Sequence, residues 1–290
     1  MLILHGTQLF CRSESILNIE LNKVSAQQKL SASLQLNSEL TNKGYARFSI
    51  SERINANTSS KDIEQFLSAF SDMPLDPYDK TESRYRLYGR AIYFPWDSNL
   101  HWIPPTKDAH GHSICHYFQG PYNPEHVDQL RHFSAIPDYI VHNPVVTEIV
   151  NYVTSLTYFN DFDKCRPCLV GMHFISQQVD QTHPEAIVSP NCMHQDGEMF
   201  DFVILVGREN VGGGKNYIGD ASHANESIAS LPATKLLESF TLEQPFEGFC
   251  VEDVRVSHGV TPVHLLEGAK SGYRRTMLLD VTPLTEDLRA

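Results

Sequence analysis

His194 and Asp196 stand two residues apart in the stretch Asn191 to Gly214, N-C-M-H-Q-D-G-E-M-F-D-F-V-I-L-V-G-R-E-N-V-G-G-G. On extended backbone their side chains therefore share one face. An imidazole and a carboxylate on one face can hold a metal, and a distant second histidine would complete a two-His, one-carboxylate set with open coordination positions. That is the ligand type of non-haem Fe(II) oxygenases. His258, in V-S-H-G-V-T-P, is the candidate: it ends an apolar strand and is followed by Gly and Pro turn chemistry. A further group lies in Y-R-R-T-M-L-L-D-V, where Arg274 or Arg275 enters an otherwise apolar strand. A half-buried guanidinium there needs an anionic partner.

These groups need a rigid support, and the neighbouring residues supply it. Phe200 to Val206 is a dense apolar, β-branched and aromatic run that reads as a buried strand, and Gly212, Gly213 and Gly214 allow a sharp turn after it. Further strands are expected at Leu169 to Gln177, Lys215 to Ile218, Glu247 to Val251 and Arg274 to Val281. The first half reads differently. Helix-compatible spacing runs from Ser15 to Thr41 with Gly44 as its cap, and Ser60 caps a helix that buries Ile63, Phe66, Leu67 and Phe70. Arg84 to Phe94 reads as a strand with a bulge at Gly89, Pro95 to Gly111 as a long surface loop, and Ser113 to Gln119 as a strand. Asn143-Pro144 opens a helix with Val146, Ile149, Val150 and Val153 on its core face.

The expected fold is mainly β with flanking helices, of the α+β kind. Its core is a double-stranded β-helix, a cupin-like jelly roll, with the N-terminal helices packed outside. No flexible linker divides the 290 residues, so one domain is expected, with 1–110 its helix-rich part and 111–285 the jelly roll. A balance of 23 basic against 35 acidic residues gives a net charge of −12, which repels nucleic acid and anionic lipid and favours a small-molecule partner. No membrane-length apolar run and no export signal is read, so the expected location is cytoplasmic. The six cysteines are read as reduced thiols. Arg208 and Glu209 are read as stabilising a strand end. His101, His110, His112 and His116 lack regular metal spacing and read as solvated loop residues.

The residues resemble the bacterial Fe(II)/2-oxoglutarate dioxygenases that hydroxylate free amino acids, typified by isoleucine and leucine hydroxylases. The resemblance rests on H-Q-D-G followed by G-R-E-N-V-G-G-G, on S-H-G-V-T-P-V and on the closing R-R-T-M-L-L-D-V. It extends more loosely to Y-R-L-Y-G-R-A, F-Q-G-P-Y-N and R-H-F-S-A-I-P, covering roughly residues 40 to 285. It implies that His194, Asp196 and His258 bind Fe(II) and that a closing-strand arginine holds the distal carboxylate of 2-oxoglutarate. Family members usually carry Arg-Asp before the apolar run; Arg275-Thr276 occupies those positions, which favours Arg275 over Arg274. Thr276 departs from that pattern, and Leu265 to Gly272 reads as an insertion.

The reaction implied is consumption of O₂ and 2-oxoglutarate, with release of succinate and CO₂. It would be coupled to hydroxylation of an sp³ carbon of an aliphatic amino acid such as isoleucine, leucine or methionine. Tyr122, Asn123 and Arg131 are candidates for recognising that substrate. Two other readings are weighed: an oxygenase acting on a small amino-acid derivative or a peptidyl intermediate of secondary metabolism, and a metal-binding jelly-roll sensor without turnover. The sequence assigns no oligomeric state.

Overall fold

The computed structural model of the chain describes residues 35–157 and 165–284. The start of the expected first helix lies outside them. The part described, α1, spans residues 35–43 and ends as its glycine foretells: Gly44 takes φ +80° and returns its N–H to the Leu40 carbonyl at 2.8 Å. Four more helices follow, α2 (Ser51–Asn57), α3 (Ser60–Ser68), α4 (Asp138–Val141) and α5 (Pro144–Leu156).

The strands, in chain order, are β1 (Tyr45–Ser49), β2 (Arg84–Phe94), β3 (Asn99–Trp102), β4 (Thr106–Lys107), β5 (Ser113–Gln119), β6 (Gln129–Ser134), β7 (Cys168–Asp180) and β8 (Glu185–Ala186). The second half supplies β9 (Phe200–Glu209), β10 (Val211–Gly213), β11 (Lys215–Asp220), β12 (Leu236–Thr241), β13 (Glu247–Glu252), β14 (Val256–Val260), β15 (Val263–Leu265) and β16 (Ser271–Pro283). Seven of them form one sheet in the order β1-β13-β9-β16-β7-β2-β3, antiparallel at every pairing. Two three-stranded sheets, β12-β11-β14 and β10-β15-β8, complete the jelly roll, and β4-β5-β6 is a separate ribbon. Strands β1, β2 and β3 come from the part expected to be helix-rich, so the large sheet crosses the division drawn at residue 110.

The two faces of the large sheet have different jobs because side chains alternate. One face carries Leu87, Ala91, Met172, Phe174, Phe202, Ile204, Met277 and Leu279, and packs on helical residues including Phe66, Phe70, Ile149 and Val153 in a single core cluster. The other face carries Arg84, Arg86, His173, Gln177, Asp201, Arg274, Thr276 and Asp280. These belong to the same strands, displaced by one residue, and most are almost fully buried. Buried charge costs heavily unless paired or liganded, so this row of polar side chains points to a site.

Local details depart from expectation where packing overrides pattern. The cap of α3 is Ser59, in a reciprocal capping box with Asp62, and Leu67 is turned outward at 36% exposure. Gly89 makes no bulge: the register runs through it to Met172, and its missing Cβ leaves room for Ile136 and Trp102. The loop expected from Pro95 to Gly111 contains β3, which extends the sheet edge by pairing with β2, and the short strand β4.

Candidate active site

His258 lies in the middle of β14, paired with Ile218 of β11. His194 lies in the loop before β9 but is tied to His258 by two backbone hydrogen bonds, 2.8 and 2.9 Å, in an isolated antiparallel bridge. The expected extended strand through His194 and Asp196 is therefore one bridge residue followed by loop. What aims Asp196 is Asp253, 1% exposed, whose carboxylate accepts the N–H groups of Asp196 (3.0 Å) and Gly197 (2.7 Å). The two imidazole centroids are 4.3 Å apart, Asp196 Oδ1 is 3.9 Å from His194 Nε2, and Asp196 Oδ2 is 3.3 Å from His258 Nε2. One donor atom from each residue fits within 4.8 Å of the others.

The donor set fits a divalent metal. His194 Nδ1 donates to the Cys192 carbonyl at 3.0 Å, which leaves Nε2 as a lone-pair donor facing the cluster. His258 Nε2 is buried and makes no well-directed hydrogen bond. Burial alone would lower the His258 pKa, but the Asp196 and Asp253 carboxylates outweigh it and hold it up to about 10. Burial pushes the Asp196 carboxyl up, and the His258 and His194 rings more than reverse this, leaving it well below the usual carboxylate range. A strongly anionic carboxylate beside two imidazoles is an attractive seat for a cation.

Both closing-strand arginines belong to β16, and alternation sends them to opposite sides. Arg274, 4% exposed, lines the same cavity as His194, Asp196 and His258. Gly214, at φ +65°, leaves room for its side chain. Its Nη1 donates to Gln177 Oε1 at 3.1 Å, its Nε has no hydrogen-bond partner, and no carboxylate among the described residues is in ion-pair contact with it. Burial, with Arg208 adding repulsion, lowers its pKa to about 10. Arg275 instead stacks 4.1 Å from the Tyr273 ring and lines a separate surface cavity. Strand alternation thus places Arg274 in the cavity of His194, Asp196 and His258 and Arg275 outside it.

The other candidates separate in the same way. Arg131 and Asn123, each 2% exposed, line the site cavity, and Arg131 lies 5.1 Å over the Tyr117 ring. Asn123 Oδ1 is engaged by the Glu125 N–H. Tyr122 is 46% exposed, does not line the cavity, and rests its ring on Gly197. Arg208 donates to the carbonyls of Leu242, Val211 and Gly213, holding a strand end.

Sequence reading passed over Arg86, His173, Asp253 and Asp280. For Arg86, His173 and Asp280 the signal was the same as for Arg274, a polar residue on one face of an otherwise apolar strand. Asp280 faces Gly171 across the β16–β7 pairing, and any Cβ at 171 would run into its carboxylate. Gly171→Ala is expected to lower the unfolding free energy by about 1–3 kcal/mol. Denaturant melts check this, and an unchanged midpoint would mean that Asp280 moves aside freely.

A jelly roll whose inner face gathers two imidazoles and a carboxylate has the architecture and donor set of a non-haem iron oxygenase. The 2OG-Fe dioxygenase family matches residues 67–280, and the chain belongs to that family. It is an oxidoreductase that works with Fe(II), 2-oxoglutarate and O₂. The chain is 26% identical over 208 residues to an L-isoleucine-4-hydroxylase from Bacillus thuringiensis, covering 69% of this chain and 78% of the relative.

Among solved structures it is similar to IDO from Bacillus thuringiensis, with TM-score 0.63, 20% identity, and 87% and 96% of the two chains covered. It is also similar to a bsmA homologue from Methylobium petroleophilum PM1, with TM-score 0.67, 20% identity, and 89% and 96% coverage. The Fe(II)/α-ketoglutarate-dependent dioxygenase TqaL shares the fold at TM-score 0.68, 10% identity and 90% of each chain. No described helix is long and apolar enough to cross a membrane.

Proposed function

We propose that this chain is a single dioxygenase domain that hydroxylates a free L-amino acid at an sp³ carbon, an aliphatic one such as isoleucine, leucine or methionine. His194, Asp196 and His258 would hold Fe(II), and Arg274 would hold the distal carboxylate of 2-oxoglutarate. When bound, the iron supplies activation of O₂, coupled to conversion of 2-oxoglutarate to succinate and CO₂. The protein's own part is to bind both organic acids, aim the substrate carbon and exclude water.

The observation that carries this reading is one cavity lined both by the candidate metal ligands and by guanidinium groups from three different strands: Arg274 on β16, Arg86 on β2 and Arg131 on β6. Two anionic ligands can therefore be held at once without competing for one guanidinium. The relative named for isoleucine hydroxylation supports the amino-acid class.

The test is anaerobic reconstitution with Fe(II), followed by O₂ and 2-oxoglutarate with each common L-amino acid in turn, reading succinate and substrate mass. One amino acid should stimulate succinate release and gain one oxygen atom. Binding of iron and 2-oxoglutarate without stimulation by any free amino acid would overturn the substrate. It would leave amino-acid derivatives or peptidyl substrates.

A further inference from the structure

Charge is uneven on the two sides of one imidazole ring, that of His173, which lines the cavity. On one side Arg84, Arg86 and Arg131 gather around Asp76, which takes a hydrogen bond from Arg84 Nε at 2.8 Å and lies 3.9 Å from Arg86 Nη1. The Nε of Arg86 is buried without a hydrogen-bond partner. Arg86 Nη2 lies 2.6 Å from His173 Nδ1. A guanidinium only donates, so Nδ1 accepts and the ring proton sits on Nε2. That proton faces Asp280 Oδ1, 3.5 Å away on the other side of the ring.

His173 cannot supply the charge that Asp280 lacks. It is fully enclosed, stacked on Tyr88 at 4.3 Å with the edge of Tyr117 at 5.1 Å, which fixes its orientation. Burial, with Arg86 and Arg131 adding repulsion, holds it well below the usual imidazole range, so it stays neutral. Among the described residues no other cationic group is in ion-pair contact with Asp280, and the sheet makes room for its carboxylate with Gly171. Burial and the nearby Asp196 charge, only partly offset by the Arg86 guanidinium, push Asp280 up to about 7, a penalty that an adjacent cation would reduce further. The neighbouring Glu198 is already engaged, accepting from Thr282 Oγ1 at 2.6 Å.

We propose that Asp280 receives the α-ammonium group of the substrate while Arg86, across the His173 ring, receives its carboxylate. The pair makes the site selective for free α-amino acids over N-acylated, peptidyl or 2-hydroxy counterparts. The assignment rests on the amino-acid reading above and adds the residue that enforces it. An α-amino acid carries its ammonium and its carboxylate on one carbon, so charge-assisted hydrogen bonds of about 2.8 Å to each side span the width of one ring. An N-acyl or peptide nitrogen is neutral and a 2-hydroxyl carries no charge, so each would leave Asp280 buried beside a group that cannot balance it.

The experiment compares wild type with Asp280→Asn, which keeps an oxygen acceptor for His173 and removes the charge. Anaerobic calorimetry on the Mn(II), 2-oxoglutarate-loaded protein would use L-isoleucine, L-leucine and L-methionine, with N-acetyl-L-isoleucine and the 2-hydroxy analogue of isoleucine as probes. Succinate kinetics with Fe(II) would accompany it. Asp280→Asn should bind 2-oxoglutarate as wild type does, bind the free amino acid at least about 30-fold more weakly, and lose most of its preference over the 2-hydroxy acid. The KM for the amino acid should rise far more than kcat falls.

Unchanged amino-acid affinity in Asp280→Asn overturns this assignment alone. Failure of wild type to bind any free amino acid overturns the substrate reading and this assignment with it. Should the variant not fold, wild type decides: a preference of at least about 30-fold for L-isoleucine over its N-acetyl form supports the assignment, and equal affinity overturns it.

Discussion

Asp196→Ala is expected to abolish stable iron binding and reduce turnover more than a hundredfold. Two imidazoles 4.3 Å apart remain in that variant, but their shared anionic partner is gone. The loss is hard to repair locally. Asp253 is committed to the N–H groups of residues 196 and 197, and Asp201, whose carboxylate also lies within reach of His258, is pushed well above the usual carboxylate range foremost by burial, which the variant leaves in place, so it is a poor anionic substitute. Changes to groups that merely orient a ligand already cost about 10–100-fold in metal affinity, and removing a ligand should exceed that. Iron content after anaerobic reconstitution, measured with succinate release, checks both parts. Full activity with bound iron in the alanine variant would remove Asp196 from the ligand set.

The candidate ligand set that the fold gathers was readable because its spacing is local or motif-bound. His194 and Asp196 sit in H-Q-D-G, and His258 ends an apolar run before Gly and Pro. The helix opened by Asn143 and Pro144 was readable for the same reason: Asn143 accepts the Val145 N–H and proline occupies the first turn. What was not readable depends on partners distant in sequence. Strand β3 exists because β2 offers an edge, and β6 because β5 pairs with it along its whole length. Asp253 matters only because the fold brings it beneath residues 196 and 197. Glycines were misread in the same way: Gly89 looks like a bulge in sequence, but its small size is spent on Ile136 and Trp102 from other elements.

The two arginines of β16 give the sharpest contrast between sequence pattern and sheet geometry. By position beside the apolar run Arg275 is favoured, yet β16 runs in unbroken register along β7, its one irregularity lying against β9, and only Arg274 of the two shares the inner face with Thr276, Leu278 and Asp280. Arg274→Ala is therefore expected to raise the KM for 2-oxoglutarate about 150-fold, equivalent to about 3 kcal/mol, within the range for removing one partner of a buried charge pair. Arg275→Ala should change it less than about threefold, because that guanidinium stacks on Tyr273 outside the cavity. Any effect there should fall on stability, through lost packing of its side-chain stem. Steady-state kinetics with 2-oxoglutarate varied, alongside direct binding to the Mn(II) protein, separate the two. The reverse ranking would mean that β16 presents its other face to the co-substrate. Such a shift by one residue would also carry Met277 from the helix-packed core into the cavity. The expected asymmetry between Arg274 and Arg275 is thus a test of the register of the whole strand as well as of one side chain.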